Sequence, residues 1–244
     1  MNHPFAQAGT LDGTRRVILN LAQHYSPRRL MMLIGVCLAV CITWVMLSYL
    51  TGRDDLAADK KPGSAIELTI AGGRFVIPAN LIRFADQKHD GLAERVDLAL
   101  LWPTLSGRDA DTSKKFVDPN GASNVIHLSI TADAATVDST GRLATVYARY
   151  FTGPAQPAPA GLVARKLVAG SAFEGEIVYF ESGATQPFVA RCYPRQPLLP
   201  PTCIRDVNIG GVLTYQYRFH QDLLADWQAL NASIRSLVGD FRTP

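Results

Sequence analysis

Residues 203–219 read CIRDVNIGGVLTYQYRF. Two alternating runs flank a pair of glycines: Cys203 to Asn208 before it and Val212 to Phe219 after it, with Ile209-Gly210-Gly211 between. In the second run Leu213, Tyr215, Tyr217 and Phe219 fall on one face, and Thr214, Gln216 and Arg218 on the other. A period of two with β-branched and aromatic residues, broken by glycine, predicts antiparallel strands with one apolar and one wet face.

Toward the C-terminus the period changes. Leu223, Trp227, Leu230, Ile234, Leu237, Val238 and Phe241 recur at three- and four-residue spacing, while Gln221, Asp226, Gln228, Asn231 and Arg235 take the opposite side. This predicts an amphipathic helix from His220 to about Phe241, with its stripe packed on the apolar face of the sheet. Asp222 lies near its N-terminal end, where the helix dipole favours an acid. The sequon Asn231-Ala232-Ser233 falls inside this helix and is discounted.

Toward the N-terminus the strand pattern continues. Glu174 to Glu181 and Pro187 to Tyr193 flank a turn at Ser182-Gly183-Ala184-Thr185. Leu162 to Val168 reads as a short strand or irregular piece, and GPAQPAPAG (153–161) as a stiff, extended surface connection. Arg142 to Phe151, Val125 to Ile130 and Arg95 to Trp102 read as strands, the last stopped by Pro103. Ile66 to Ile70 and Arg74 to Ile77 form a hairpin about Ala71-Gly72-Gly73, ended by Pro78. The polar, glycine-containing stretch 104–124 is a long loop.

Cys192 ends one predicted strand and Cys203 begins the next. The ten residues between them, YPRQPLLPPT, hold four prolines and form neither a tight turn nor a ladder. A structural disulfide across the neck of a bulging loop is the expectation, adding about 3 kcal/mol on the loop-entropy model. Leu198 and Leu199 sit at the tip of that loop and are the candidate docking point. Such a disulfide belongs in an oxidising compartment.

Residues 30–50, LMMLIGVCLAVCITWVMLSYL, carry no charge. As a helix they span about 31 Å, close to the hydrocarbon thickness of a bilayer. The run is longer and begins later than the apolar region of a signal peptide, so an uncleaved anchor is expected. Cys37 and Cys41 lie one turn apart on it and read as small apolar fillers. The expected organisation is a short basic cytoplasmic tail (1–29), a transmembrane helix (30–50), a polar linker (51–64) and an extracytoplasmic β-rich domain (65–244).

The formal charge of +3 is unevenly placed. Residues 1–29 hold four of the 24 Lys and Arg and one of the 21 Asp and Glu; the span holds none, so the 194 residues beyond it carry 20 of each sign. A neutral body lacks the cationic surplus that displaces counterions from nucleic acid. The basic tail leans toward the cytoplasm under the positive-inside rule.

No P-loop, G-x-G-x-x-G or G-x-S-x-G pattern is present. His89, between Asp86 and Asp90, reads as a solvated loop residue, and His127 and His220 as a strand and a junction histidine. Hence no catalytic, cofactor or metal residue is assigned, and no cofactor. The sequence-level expectation is an α+β, single-pass protein of a bacterial inner membrane. Its periplasmic domain acts as a non-enzymatic interaction or assembly module for another envelope or membrane component. The alternative is a membrane-tethered enzyme or small-ligand binder whose site is scattered along the chain.

Overall fold

The computed structural model describes residues 27–54, 64–117, 124–133, 137–193 and 200–243. The chain divides into two compact units, Met1–Ala58 and Asp59–Pro244.

In the first unit, helix α1 (Pro27–Asp54) contains the apolar run. Its described side chains, Arg28 and 31–46, are all exposed. The hydroxyl of Thr43 donates to the carbonyls of Ala39 and Val40 at 2.9 Å, so this polar residue is satisfied inside its own helix. Among the described residues no helix is long and apolar enough to cross a membrane. The crossing expected of Leu30 to Leu50 is thus not shown by the described residues.

The second unit is α+β, with two mainly antiparallel sheets and a C-terminal helix packed against them. Strands β1 (Ala65–Ile70) and β2 (Gly73–Pro78) form the expected hairpin, with Ala71 and Gly72 turning at positive φ. The short β3 (Gly91–Leu92) joins β1 in parallel, and β12 (Arg242–Thr243) adds to β2. The large sheet has eight strands, all antiparallel: β4 (Arg95–Leu101), β5 (Val125–Ala132), β6 (Phe151–Pro157), β7 (Leu162–Leu167), β8 (Ile177–Glu181), β9 (Val189–Tyr193), β10 (Thr202–Ile209) and β11 (Leu213–His220). Their spatial order is 4-5-11-10-9-8-7-6. β6 to β11 are therefore a continuous meander, and β5 and β4 extend it beyond β11.

Alternation decides which residues face inward. Tyr215, Tyr217 and Phe219 of β11, Ile126, Leu128 and Ile130 of β5, and Val96, Leu98 and Leu100 of β4 enter one large core with Ile66, Phe75 and Ile77 of the small sheet. Helix α3 (Trp227–Phe241) closes it with Leu230, Ile234, Val238 and Phe241. The hydroxyl of Tyr217 donates to Asn231 Oδ1 at 3.2 Å and fixes helix to sheet. The helical stripe is thus on the sheet, but its first part differs from expectation. Gln221–Asp226 is a 3₁₀ helix capped by His220, whose Nδ1 accepts from the Asp222 amide at 3.3 Å, and the α-helix starts at Trp227.

Residues 142–151 are not a strand. Helix α2 (Ser139–Thr145) and a 3₁₀ turn, Tyr147–Tyr150, occupy most of the stretch. Asp138 caps α2 by accepting from the Gly141 amide at 2.8 Å. Leu143, Val146 and Tyr147, spaced i, i+3, i+4, form one stripe, and it packs on Leu167, Val178 and Val189 in a second, smaller core. That stripe outweighed the two-residue alternation in the same letters. Nor is 153–161 a free connection. Its first part lies in β6, an edge strand whose register against β7 shifts between Thr152 and Gln156, which accommodates Pro154.

Candidate functional site

Cys192 and Cys203 sit directly opposite each other on β9 and β10, with Cα atoms 4.0 Å apart, and are joined by a disulfide. Leu198 and Leu199, the expected docking point, lie outside the described residues. The neck of their loop is described, and beside it opens a cleft of about 340 Å³.

Its walls come from four strands, β5, β9, β10 and β11. His127 on β5 stands opposite Arg218 on β11, and His220 ends β11 opposite Thr202. Arg83 comes from the segment between the two sheets, where Ile82 bridges to Leu98 of β4. Tyr193 and Pro200 bring in the disulfide loop. No carboxylate lines the cleft among the described residues, and His220 has the exposed Asp222 beside it, with Oδ2 3.3 Å from the ring Nδ1. Among the described residues Arg218 donates to a neutral group, Gln216 Oε1 at 3.2 Å. His127 is half-buried and among the described residues its Nδ1 is without a hydrogen-bond partner. Burial, then the positive charges of Arg83 and Arg218, pull its pKa down to about 4, against the weaker opposing pull of Asp97. The cleft is thus a cationic recess holding a neutral imidazole near pH 7. It has the chemistry to receive an acidic group.

The neighbouring part of the same sheet face is self-satisfied. Asp97 accepts from Arg95 Nη2 at 2.7 Å, Ser129 Oγ at 2.6 Å and Gln87 Nε2 at 3.1 Å. Burial pushes the Asp97 carboxyl up, but these hydrogen bonds override it and hold the pKa at about 2. Asp206 is likewise engaged, by Arg142 and by Gln216 Nε2, each at 2.6 Å. His89 lies in an exposed loop with its Nδ1 3.2 Å from the Asp90 carbonyl. Among the described residues no group of three His, Cys, Asp or Glu is placed to hold a metal.

Sequence reasoning singled out neither Arg83 nor Arg218, and gave His127 a neutral role. The available signal was the alternation that put His127 and Arg218 on polar strand faces. What brings them together is the insertion of β5 beside β11, a pairing across about 90 residues of chain.

No protein-family model matches the chain, and no curated protein matches it. Among solved structures, it is similar to an immunity protein of the Stenotrophomonas maltophilia type IV secretion system, with 16% identity and a TM-score of 0.52 over 74% of this chain and 94% of that one. It is more distantly similar to the iron-regulated outer membrane lipoprotein FrpD of Neisseria meningitidis, with 14% identity and a TM-score of 0.45 over 74% and 93% of the two chains. At these identities the first likeness is one of fold, and the second carries no argument.

Proposed function

We propose that this chain is a single-pass membrane protein whose extracytoplasmic domain is a non-enzymatic module binding an acidic surface of a protein partner. The observation that carries the binding role is the cleft of Arg83, His127, Arg218 and His220, cationic and without a lining carboxylate among the described residues. A recess of one sign focuses its field and steers an oppositely charged partner. The fold shared with an immunity protein of a secretion system supports a protein rather than a metabolite as that partner.

The anchor is supported by the uncharged run Leu30 to Leu50 and by the exposed apolar side chains of α1, Met31, Met32, Trp44 and Met46 among them. The disulfide supports an oxidising compartment for the body, with the basic N-terminus in the cytoplasm and the domain in the periplasm.

The test is affinity capture of the full-length protein from native membranes in mild detergent, beside an Arg83→Glu/Arg218→Glu variant. A co-purifying protein lost from the variant, and released from the wild type at about 1 M salt, where the Debye length is about 3 Å, is the expected result. Equal recovery with the variant, or no enriched protein at all, overturns the binding role. Retention of the chain in membranes through alkaline carbonate extraction is expected of an anchor, and its release overturns that part.

A further inference from the structure

A second recess, lined by other residues of the same two strands β10 and β11, lies between them and α3. It has a volume of about 490 Å³. Phe75, Val207, Ile209 and Val238 give it apolar walls. Its charged and phenolic groups are Arg205, Tyr215, Arg235 and Arg242, with Asp138 at one side and Thr140, Gln186 and Asn208 as neutral polar neighbours.

Arg205 is the unusual member. It is 3% exposed, on the strand face that also carries Cys203 and Val207. Its Nη1 donates to the Val189 carbonyl at 2.9 Å, and its guanidinium lies 4.7 Å from the Phe188 ring centroid. Its Nε has no hydrogen-bond partner, and among the described residues no carboxylate pairs with it. A buried guanidinium without a counter-ion is expensive. Tyr215, 2% exposed, has a hydroxyl with no hydrogen bond of ordinary geometry. Arg235 and Arg242 are exposed at the mouth. The single acid of the lining, Asp138, is committed to the Gly141 amide as the cap of α2. Three guanidinium groups and the Tyr215 hydroxyl therefore face a space whose remaining walls mix apolar side chains with the neutral Thr140, Gln186 and Asn208.

We infer that this recess is a binding site for a carboxylate carried on a carbon skeleton, a small organic acid or the terminal carboxylate of a peptide. Arg205 and Tyr215 receive the carboxylate, Arg235 and Arg242 close over it, and the apolar walls take the carbon chain. An inorganic anion would satisfy the guanidinium groups and leave those walls unused. A planar carboxylate matches the fork of a guanidinium.

The experiment is calorimetric titration of the full-length protein in detergent at constant ionic strength. The probes are succinate, a short peptide with a free C-terminus, the same peptide amidated, and inorganic phosphate. Saturable binding of succinate or of the free peptide is expected. An Arg235→Gln/Arg242→Gln variant, altered only at exposed positions, should weaken it by about tenfold or more, the worth of one charge-assisted hydrogen bond. Preference for the free peptide over succinate assigns the carboxylate to a chain terminus, and the reverse assigns it to a small acid. Saturation by phosphate alone, equal binding of the amidated peptide, an unchanged affinity in the variant, or no saturable heat overturns the inference. Charge reversal at Arg83 and Arg218 leaves this binding intact, so the two sites succeed or fail separately.

Discussion

The two faces of the eight-stranded sheet are built from the same alternating strands and put to different uses. The inner face packs with α3 and the small sheet in one large core and is mainly apolar, with Arg205 its buried charged exception. The outer face is divided. Over β7, β8 and β9 it is roofed by α2 and the following 3₁₀ turn, around Tyr147, Val178 and Val189. Over β4, β5, β11 and β10 it carries paired charges and the cationic cleft. Polar groups are tolerated there because nearly every one has a partner, as burial demands. His127 is the exception. Stability therefore resides mainly on the inner side, and the chemistry exposed to a partner on the outer.

The largest test of this division is a pair of truncations. Phe219 is buried on the inner face, its ring centroid 5.6 Å from that of Tyr217. Phe219→Ala should cost about 3–5 kcal/mol. Val189 is equally buried but belongs to the small outer core. Val189→Ala removes the equivalent of two methylenes and should cost about 1.5 kcal/mol. Urea unfolding of both full-length variants measures the difference. Equal losses would mean that the outer roof carries as much of the fold as the inner core.

The disulfide comes next. Cys192 and Cys203 are both buried in the inner core and are 11 residues apart in sequence. Closing so short a loop restricts the unfolded chain by about 3 kcal/mol. Replacing both by alanine should lower the unfolding free energy by about that amount and leave the native circular dichroism unchanged. An undiminished free energy would show that the prolines of the loop already confine the unfolded chain. That outcome would shift weight from the clip to the sheet itself.

Most of this architecture was readable from the letters, for a local reason. The hairpin 66–77, the strands about 95–101 and 125–130, and the meander from 189 to 219 each carry their own alternation and their own glycine or proline stops. The helical stripe from Trp227 to Phe241 is equally self-declaring. The errors fall where two periods coexist. Leu143, Val146, Tyr147 and Tyr150 fit a helical stripe, while Leu143, Thr145, Tyr147 and Arg149 fit a strand face; the cap at Asp138 decided between them. Pro154 and Pro157 read as punctuation, yet an edge strand leaves room for them. Neither recess was legible. Arg205 shares a strand face with Cys203 and Val207, and nothing in the alternation of that strand singled it out. Arg83, His127 and Arg218 meet only because β5 lies beside β11, and no local pattern encodes strand order.

The smallest expected effect is the most specific to the outer face. His127 has a native pKa of about 4 against an ordinary 6.5. Between those values the unfolded chain binds a proton that the native protein refuses, so stability rises with pH across the window and falls as pH drops from about 6.5 to 4. Burial is the main cause, followed by Arg83 and Arg218, which repel the imidazolium, against Asp97, which attracts it. His127→Gln should flatten the slope in that window. A second acid loss should remain lower down, as Asp97 is protonated between its ordinary 3.8 and its native value of about 2. Unfolding free energies measured from pH 7 to pH 3 separate the two. A slope unaltered by His127→Gln would show that the imidazole is better solvated than its missing partner implies. Occupancy of the cleft bears on the same group: an acidic side chain placed between Arg83 and Arg218 offsets their repulsion, so the imidazole pKa should climb on complex formation. Titration of the His127 ring protons by NMR, free and bound, would then report whether the partner's acid enters this recess or docks elsewhere on the sheet.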